Sequence, residues 1–289
     1  MRIAFTSDIH ADNSEAARRV PKLLGDRLRA ISPDVFVLLG DLAGHLEVLE
    51  ESFAEIGELP FPKLFVAGNH DVWVPLYWQS RGETSYDRLD RLLPEMCARH
   101  GWGYLDGGPV RVGDVGFVGS IGWYDYSLRN RARDGEISMD VYRRKFFRRW
   151  RWGDAVYALF TDGEGERLSD EGVCRLLEGR LRKHLAEVAR WDVRAVVGCS
   201  HHMPYDAIRP PGRLPWDFFL AYAGSGRFGR LFDTERRLAA VLFGHVHMKF
   251  SRETPAGRPL VTSCLGYARH WSEPDPEKAL DAAIRVIEI

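Results

Sequence analysis

Five times in this chain a short apolar run ends directly in a motif built from Asp, Asn or His. Ile3–Thr6 leads to Asp8-Ile9-His10, and Val35–Leu39 leads to Gly40-Asp41. Leu64–Ala67 leads to Gly68-Asn69-His70-Asp71, Ala195–Cys199 to Ser200-His201-His202, and Ala239–Phe243 to Gly244-His245-Val246-His247. Runs of this kind read as buried strands. Helix-like stretches separate the first three, with Asn13 or Ser14 as cap of the first and His45–Ile56 as the second. Alternation of strand and helix predicts a largely parallel α/β core, to which Val115–Ser120 adds a strand. Ala283–Ile289 alternates apolar and polar residues, as a half-buried strand does.

In an open α/β sheet the carboxyl ends of the strands share one edge, and ligands bind there. The five tails therefore bring Asp8, Asp41, Asn69 and up to six histidines to one place. Oxygen and imidazole donors without a thiolate suit Mn, Fe, Zn, Ni or Co. Glycines at 40, 68 and 244 allow the sharp turns and close approaches that such convergence needs. Each motif has a plainer reading when taken alone. Asp8 and Asp41 could cap helices, Asn69 could serve a turn, and His245 and His247 could be solvated. The five in order are poorly explained that way.

The ordered series D-x-H, G-D, G-N-H-D, H-H and G-H-x-H, spanning Asp8 to His247, resembles the calcineurin-like metallophosphoesterase superfamily. The resemblance implies an α/β fold: a β-sandwich flanked by helices in four αββα layers, with a two-metal site at the sheet edge. It implies that Asp8, His10 and His247 hold one metal and Asn69, His201 and His245 the other, with Asp41 bridging the pair. Two divalent or mixed-valence transition-metal ions would be the cofactors, acidifying a water for in-line attack on a phosphoester. His70 would face the substrate, and Asp71 would fix the His70 ring through a hydrogen bond. Pro204 in His201-His202-Met203-Pro204 favours His202 as the ligand, whereas position directly after the strand favours His201. His201 is the expected ligand, and His202 is expected to support it or to face the substrate. A phosphodiester is slightly preferred as substrate. A phosphomonoesterase, protein phosphatase or nuclease is the alternative, and a non-catalytic metal-binding scaffold would be expected to have lost a ligand or His70.

The 289 residues carry 40 Lys plus Arg against 41 Asp plus Glu, a net charge of −1. That balance gives no global reason for nucleic-acid or membrane binding, so a small anionic phosphoester is the expected partner. No apolar run approaches the roughly 20 residues that span a bilayer, and Asp8 comes too early for a signal peptide; a cytoplasmic protein is expected. Cys97, Cys174, Cys199 and Cys264 lie far apart, with neither zinc-finger nor disulfide spacing. One stretch breaks the strand rhythm. Arg129–Arg151 has nine basic residues against three acidic ones, interleaved with aromatics. It is expected to belong to a basic and aromatic cap, inserted at about 124–170 in a single domain of residues 1–289. There its charges would attract substrate and Tyr124 would wall the pocket. The competing reading is a solvated face.

Overall fold

The computed structural model describes residues 1–289. Its strands are β1 (Arg2–Thr6), β2 (Val35–Leu39), β3 (Lys63–Val66), β4 (Trp102–Tyr104), β5 (Val110–Val112) and β6 (Val115–Ser120). They continue with β7 (Phe146–Phe147), β8 (Trp150–Arg151), β9 (Ala195–Ser200), β10 (Leu238–Phe243), β11 (Lys249–Glu253), β12 (Pro259–Ser263) and β13 (Arg285–Glu288). One sheet has five strands in the order β13-β1-β2-β3-β4, and the other has six in the order β11-β12-β10-β9-β6-β5. The inner strands of both run parallel. The outer β13, β11 and β5 pair antiparallel.

Side-chain alternation sorts each inner strand between two cores. Ile3, Phe5, Val35, Val37, Leu39, Val115, Phe117, Val197 and Leu242 pack between the sheets. Ala4, Phe36, Leu38, Val118, Val196 and Val241 turn the other way, into the core shared with the helices. Both faces are covered, so these segments are continuous apolar runs. The helices Val20–Ile31 and Leu46–Ile56 pack against each other, burying Leu24, Leu28, Leu49 and Phe53. On the other side, Asp170–Val188 packs on β6 and buries Val173, Leu177, Leu181 and Leu185. The result is the four-layer helix–sheet–sheet–helix arrangement.

Ser14 caps the first short helix through its hydroxyl. All four cysteines are free and buried. Arg129–Arg151 folds as a turn, the helix Met139–Arg144 and the β7–β8 hairpin. Its aromatic Tyr142 is fully buried in the main core.

Candidate active site

Backbone geometry at the strand ends builds the site. A parallel bridge from Ser7 to Cys264 joins the two sheets where β1 and β12 finish. Neighbouring loops are then laced together: Asp8 N–H donates to Gly40 O, His10 N–H to Asp41 O, Gly244 N–H to His201 O and Gly266 N–H to Asp8 O. Asp8, His10, Asp41, His245 and His247 all have positive φ, between 48° and 71°. Such conformations cost about 1–3 kcal/mol each outside glycine, and they cluster where function requires them. The strand therefore does not stay extended through Asp8-Ile9-His10; left-handed turns aim both side chains at one point. A Cβ on Gly68 would lie 2.2 Å from Asp41 Oδ1 and 2.3 Å from Asp41 N, so only glycine lets these two loops touch.

Two groups of donors result. In one, His247 Nε2 is 3.3 Å from Asp8 Oδ1 and 3.0 Å from His10 Nε2. In the other, His201 Nε2 lies 3.1 Å from Asn69 Oδ1, 3.1 Å from His245 Nδ1 and 3.4 Å from Asp41 Oδ1. Asp41 stands between them, with Oδ2 3.7 Å from His10 Nε2. The structure thus draws together Asp8, His10, Asp41, Asn69, His201, His245 and His247. The sets Asp8–His10–His247, His10–Asp41–His70 and Asp41–His201–His245 each have ligand atoms within 4.8 Å of one another.

The electrostatics fit a cation. Asp8 Oδ1 is buried with no hydrogen-bond partner, a costly state for a carboxylate unless a positive charge faces it. Burial, then the charges of Asp8 and Asp71, push the Asp41 carboxyl well above its usual range. Burial lowers His201 to about 3 and holds His10 and His245 well below the ordinary imidazole value. Neutral imidazoles are the form that binds metals.

His70 lies at the mouth of the cluster. Its ring stacks on Trp73 at 3.5 Å between centroids, and its Nε2 is 3.3 Å from Tyr267 Oη. Its backbone N–H donates to Asp41 Oδ1 at 2.8 Å. Asp71 does not hold the ring. Its carboxylate accepts from the backbone N–H groups of Asp41, Leu42, Ala43 and Gly68, and so pins the two loops together. With its oxygens filled by amides, it is an organiser of backbone.

Three other expectations are corrected. His202 does not line the cavity: it is buried with Nδ1 2.9 Å from Ile121 O and its ring beside that of His245, a supporting place and not a substrate-facing one. Tyr124 is fully buried with its hydroxyl donating to Asp154 at 2.9 Å, so it walls no pocket. Trp152, directly after the basic stretch, lines the cavity, but none of the stretch's cations does. Arg129 pairs with Asp134, Arg143 with Glu171, Arg148 with Glu136 and Lys145 with Asp170. With Arg133, which pairs with Glu136 and Asp217, five of the nine cations of the stretch face carboxylates.

Sequence reasoning missed Asp154 and Tyr267. Asp154 is completely buried and accepts from Asn69 Nδ2 (2.9 Å), Trp73 Nε1 (2.6 Å), Trp152 Nε1 (2.7 Å) and Tyr124 Oη (2.9 Å). Holding the Asn69 amide by its nitrogen leaves the oxygen facing His201. Tyr267 stacks on His10 at 4.4 Å; its place just beyond β12 would have signalled it had Pro259–Ser263 been read as a strand.

Comparison with known proteins addresses the family and the fold. The model of the calcineurin-like phosphoesterase family matches residues 1–249. A phosphopantetheinyl hydrolase from Mycobacterium tuberculosis has a similar fold, with a TM-score of 0.68 at 18% identity over 99% of this chain and 95% of that one. A dimetal phosphatase from Danio rerio is similar with a TM-score of 0.51 at 15% identity, over 92% and 88% of the two chains. No curated protein matches the sequence significantly. With its ordered motifs, four-layer fold and clustered donors, the chain belongs to the calcineurin-like phosphoesterase family.

Proposed function

We propose that this protein is a dinuclear metal-dependent phosphoesterase that acts on a small anionic phosphoester, a phosphodiester in preference to a monoester. The observation that carries the reading is the convergence of Asp8, His10, Asp41, Asn69, His201, His245 and His247 at the ends of five strands. Asp8, His10 and His247 would hold one cation and Asn69, His201 and His245 the other. Asp41, with an oxygen toward each group, would bridge them. Such cations bind phosphate oxygens and acidify a water for attack on phosphorus. His70 would act from the cavity side on the phosphate or the leaving oxygen, steadied by Trp73 and Tyr267. Residues 1–289 would work as one unit, the stretch 124–170 supporting the site by packing rather than by charge.

The test is metal analysis joined to hydrolysis of bis-p-nitrophenyl phosphate and p-nitrophenyl phosphate. Two ions sharing Asp41 in an anomalous map, with faster turnover of the diester, are expected from Mn-, Fe-, Zn-, Ni- or Co-loaded protein. A single ion at full loading would overturn the dinuclear assignment, and a faster monoester would make the protein a phosphatase.

A further inference from the structure

Asp41, Asn69, His70, His245 and His247 form the floor of a cavity of about 940 Å³. A phosphate group alone needs only that floor. A cavity at the upper end of the usual ligand-site range accommodates a much larger organic body. Its lining combines two chemistries. Trp152, Phe219, Leu265 and Trp271 supply apolar and aromatic surface, while Arg209, Arg213, Lys249 and Arg269 supply four cations. Asp41 is the one carboxylate in the lining. None of the four cations has a carboxylate within ion-pairing distance, whereas Arg133, just outside the cavity, is paired with both Glu136 and Asp217. Arg269 instead lies over the Tyr267 ring at 4.6 Å. Unpaired cations beside apolar walls leave a surplus of positive charge that complements an anion on the ligand.

We infer, resting on the phosphoesterase reading above, that the substrate is a phosphoester whose organic part combines an apolar body with a second anionic group. The apolar body lies along the aromatic wall, and the second anion faces the four cations. The probes are three p-nitrophenyl phosphodiesters that differ only in the second ester group: methyl, n-octyl and 7-carboxyheptyl. On metal-loaded wild-type protein, kcat/KM should rise about tenfold or more from methyl to octyl, since each buried methylene contributes up to about 0.8 kcal/mol. It should rise again for the carboxylated ester, with an advantage that fades toward 1 M salt as the screening length falls to about 3 Å. The Arg209→Gln/Arg213→Gln double variant should erase the ratio between carboxylated and octyl esters, and Arg209→Lys/Arg213→Lys should restore it. Equal kcat/KM for all three esters, or a carboxylate preference that survives the Gln variant, overturns the inference and leaves the phosphoesterase reading standing. No turnover of any ester overturns both.

Discussion

His70 shares a third group of possible ligands with His10 and Asp41, their donor atoms within 4.8 Å of one another, but its ring is also engaged at the cavity mouth. It stacks on Trp73, touches Tyr267 Oη and opens on the cavity. His70→Ala should therefore lower kcat by about 10²–10⁴-fold while metal content, measured by elemental analysis, stays at the wild-type value. Loss of metal would place His70 among the ligands. Asp154 poses a different case. Removing its carboxylate in Asp154→Ala strands four donors, those of Asn69 and Tyr124 fully buried, at about 1–3 kcal/mol apiece when buried and uncompensated, and frees the Asn69 amide to rotate. Thermal unfolding should register a loss of at least about 3 kcal/mol, and metal titration should show one site weakened about 10–100-fold with the other unchanged. Equal weakening of both would show that Asp154 supports the fold and not Asn69 in particular. The metal donors were legible in sequence because chemistry and position coincide: each directly follows an apolar run. Asp154 was not, because an acid in a basic stretch reads as a solvated charge until the fold buries it beside Asn69.

Among elements, most strands legible in the sequence are buried on both faces; β13 is legible by its alternation instead, and the buried β12 escapes a sequence reading. β2 and β9 are entirely buried and had no competing pattern. β11 is an edge strand with Lys249, Ser251, Arg252 and Glu253 exposed, and β4 has three residues; neither has a periodicity to find. Two irregular stretches also bear on the site. Carboxylates inside and outside the basic insert pair five of its nine cations, and the stretch 204–229 supplies Ile208, Arg209, Pro211, Arg213, Trp216 and Phe219 to the cavity. Arg133 connects the two, donating from Nε to the buried Asp217 carboxylate at 3.0 Å and from a second nitrogen to Gly212 O at 3.0 Å. Asp217 also accepts from Gly212 N–H, so the loop bearing Arg209 and Arg213 is tied at both backbone groups of Gly212. Arg133→Ala should loosen that wall, raising KM several-fold for large esters with kcat nearly kept. An equal rise in KM for a methyl ester would show that the damage reached the metal floor.

At the scale of the molecule, the site concentrates buried carboxylates that the isolated fold tolerates poorly. Asp8 and Asp41 face the same space, Asp71 lies behind, and Asp8 Oδ1 has no partner. Like charges in a low dielectric oppose one another, and a cation among them reverses the sign of that interaction. Metal should accordingly stabilise the whole chain and not merely enable turnover. Binding to the folded state alone adds about 2.7 kcal/mol when free metal exceeds its dissociation constant a hundredfold. At about 2–4 °C per kcal/mol for a large domain, thermal unfolding should rise by about 5–10 °C between chelator-treated and metal-loaded protein. Asp41→Asn separates this effect from general salt stabilisation. It removes one of the opposed charges, so the chelated variant should melt above chelated wild type, and it removes the bridging oxygen, so added metal should raise its melting temperature less. A variant that gains as much from metal as wild type would show that Asp41 is outside the cation's reach. An unchanged melting temperature across the whole metal range in wild type would remove the electrostatic argument altogether.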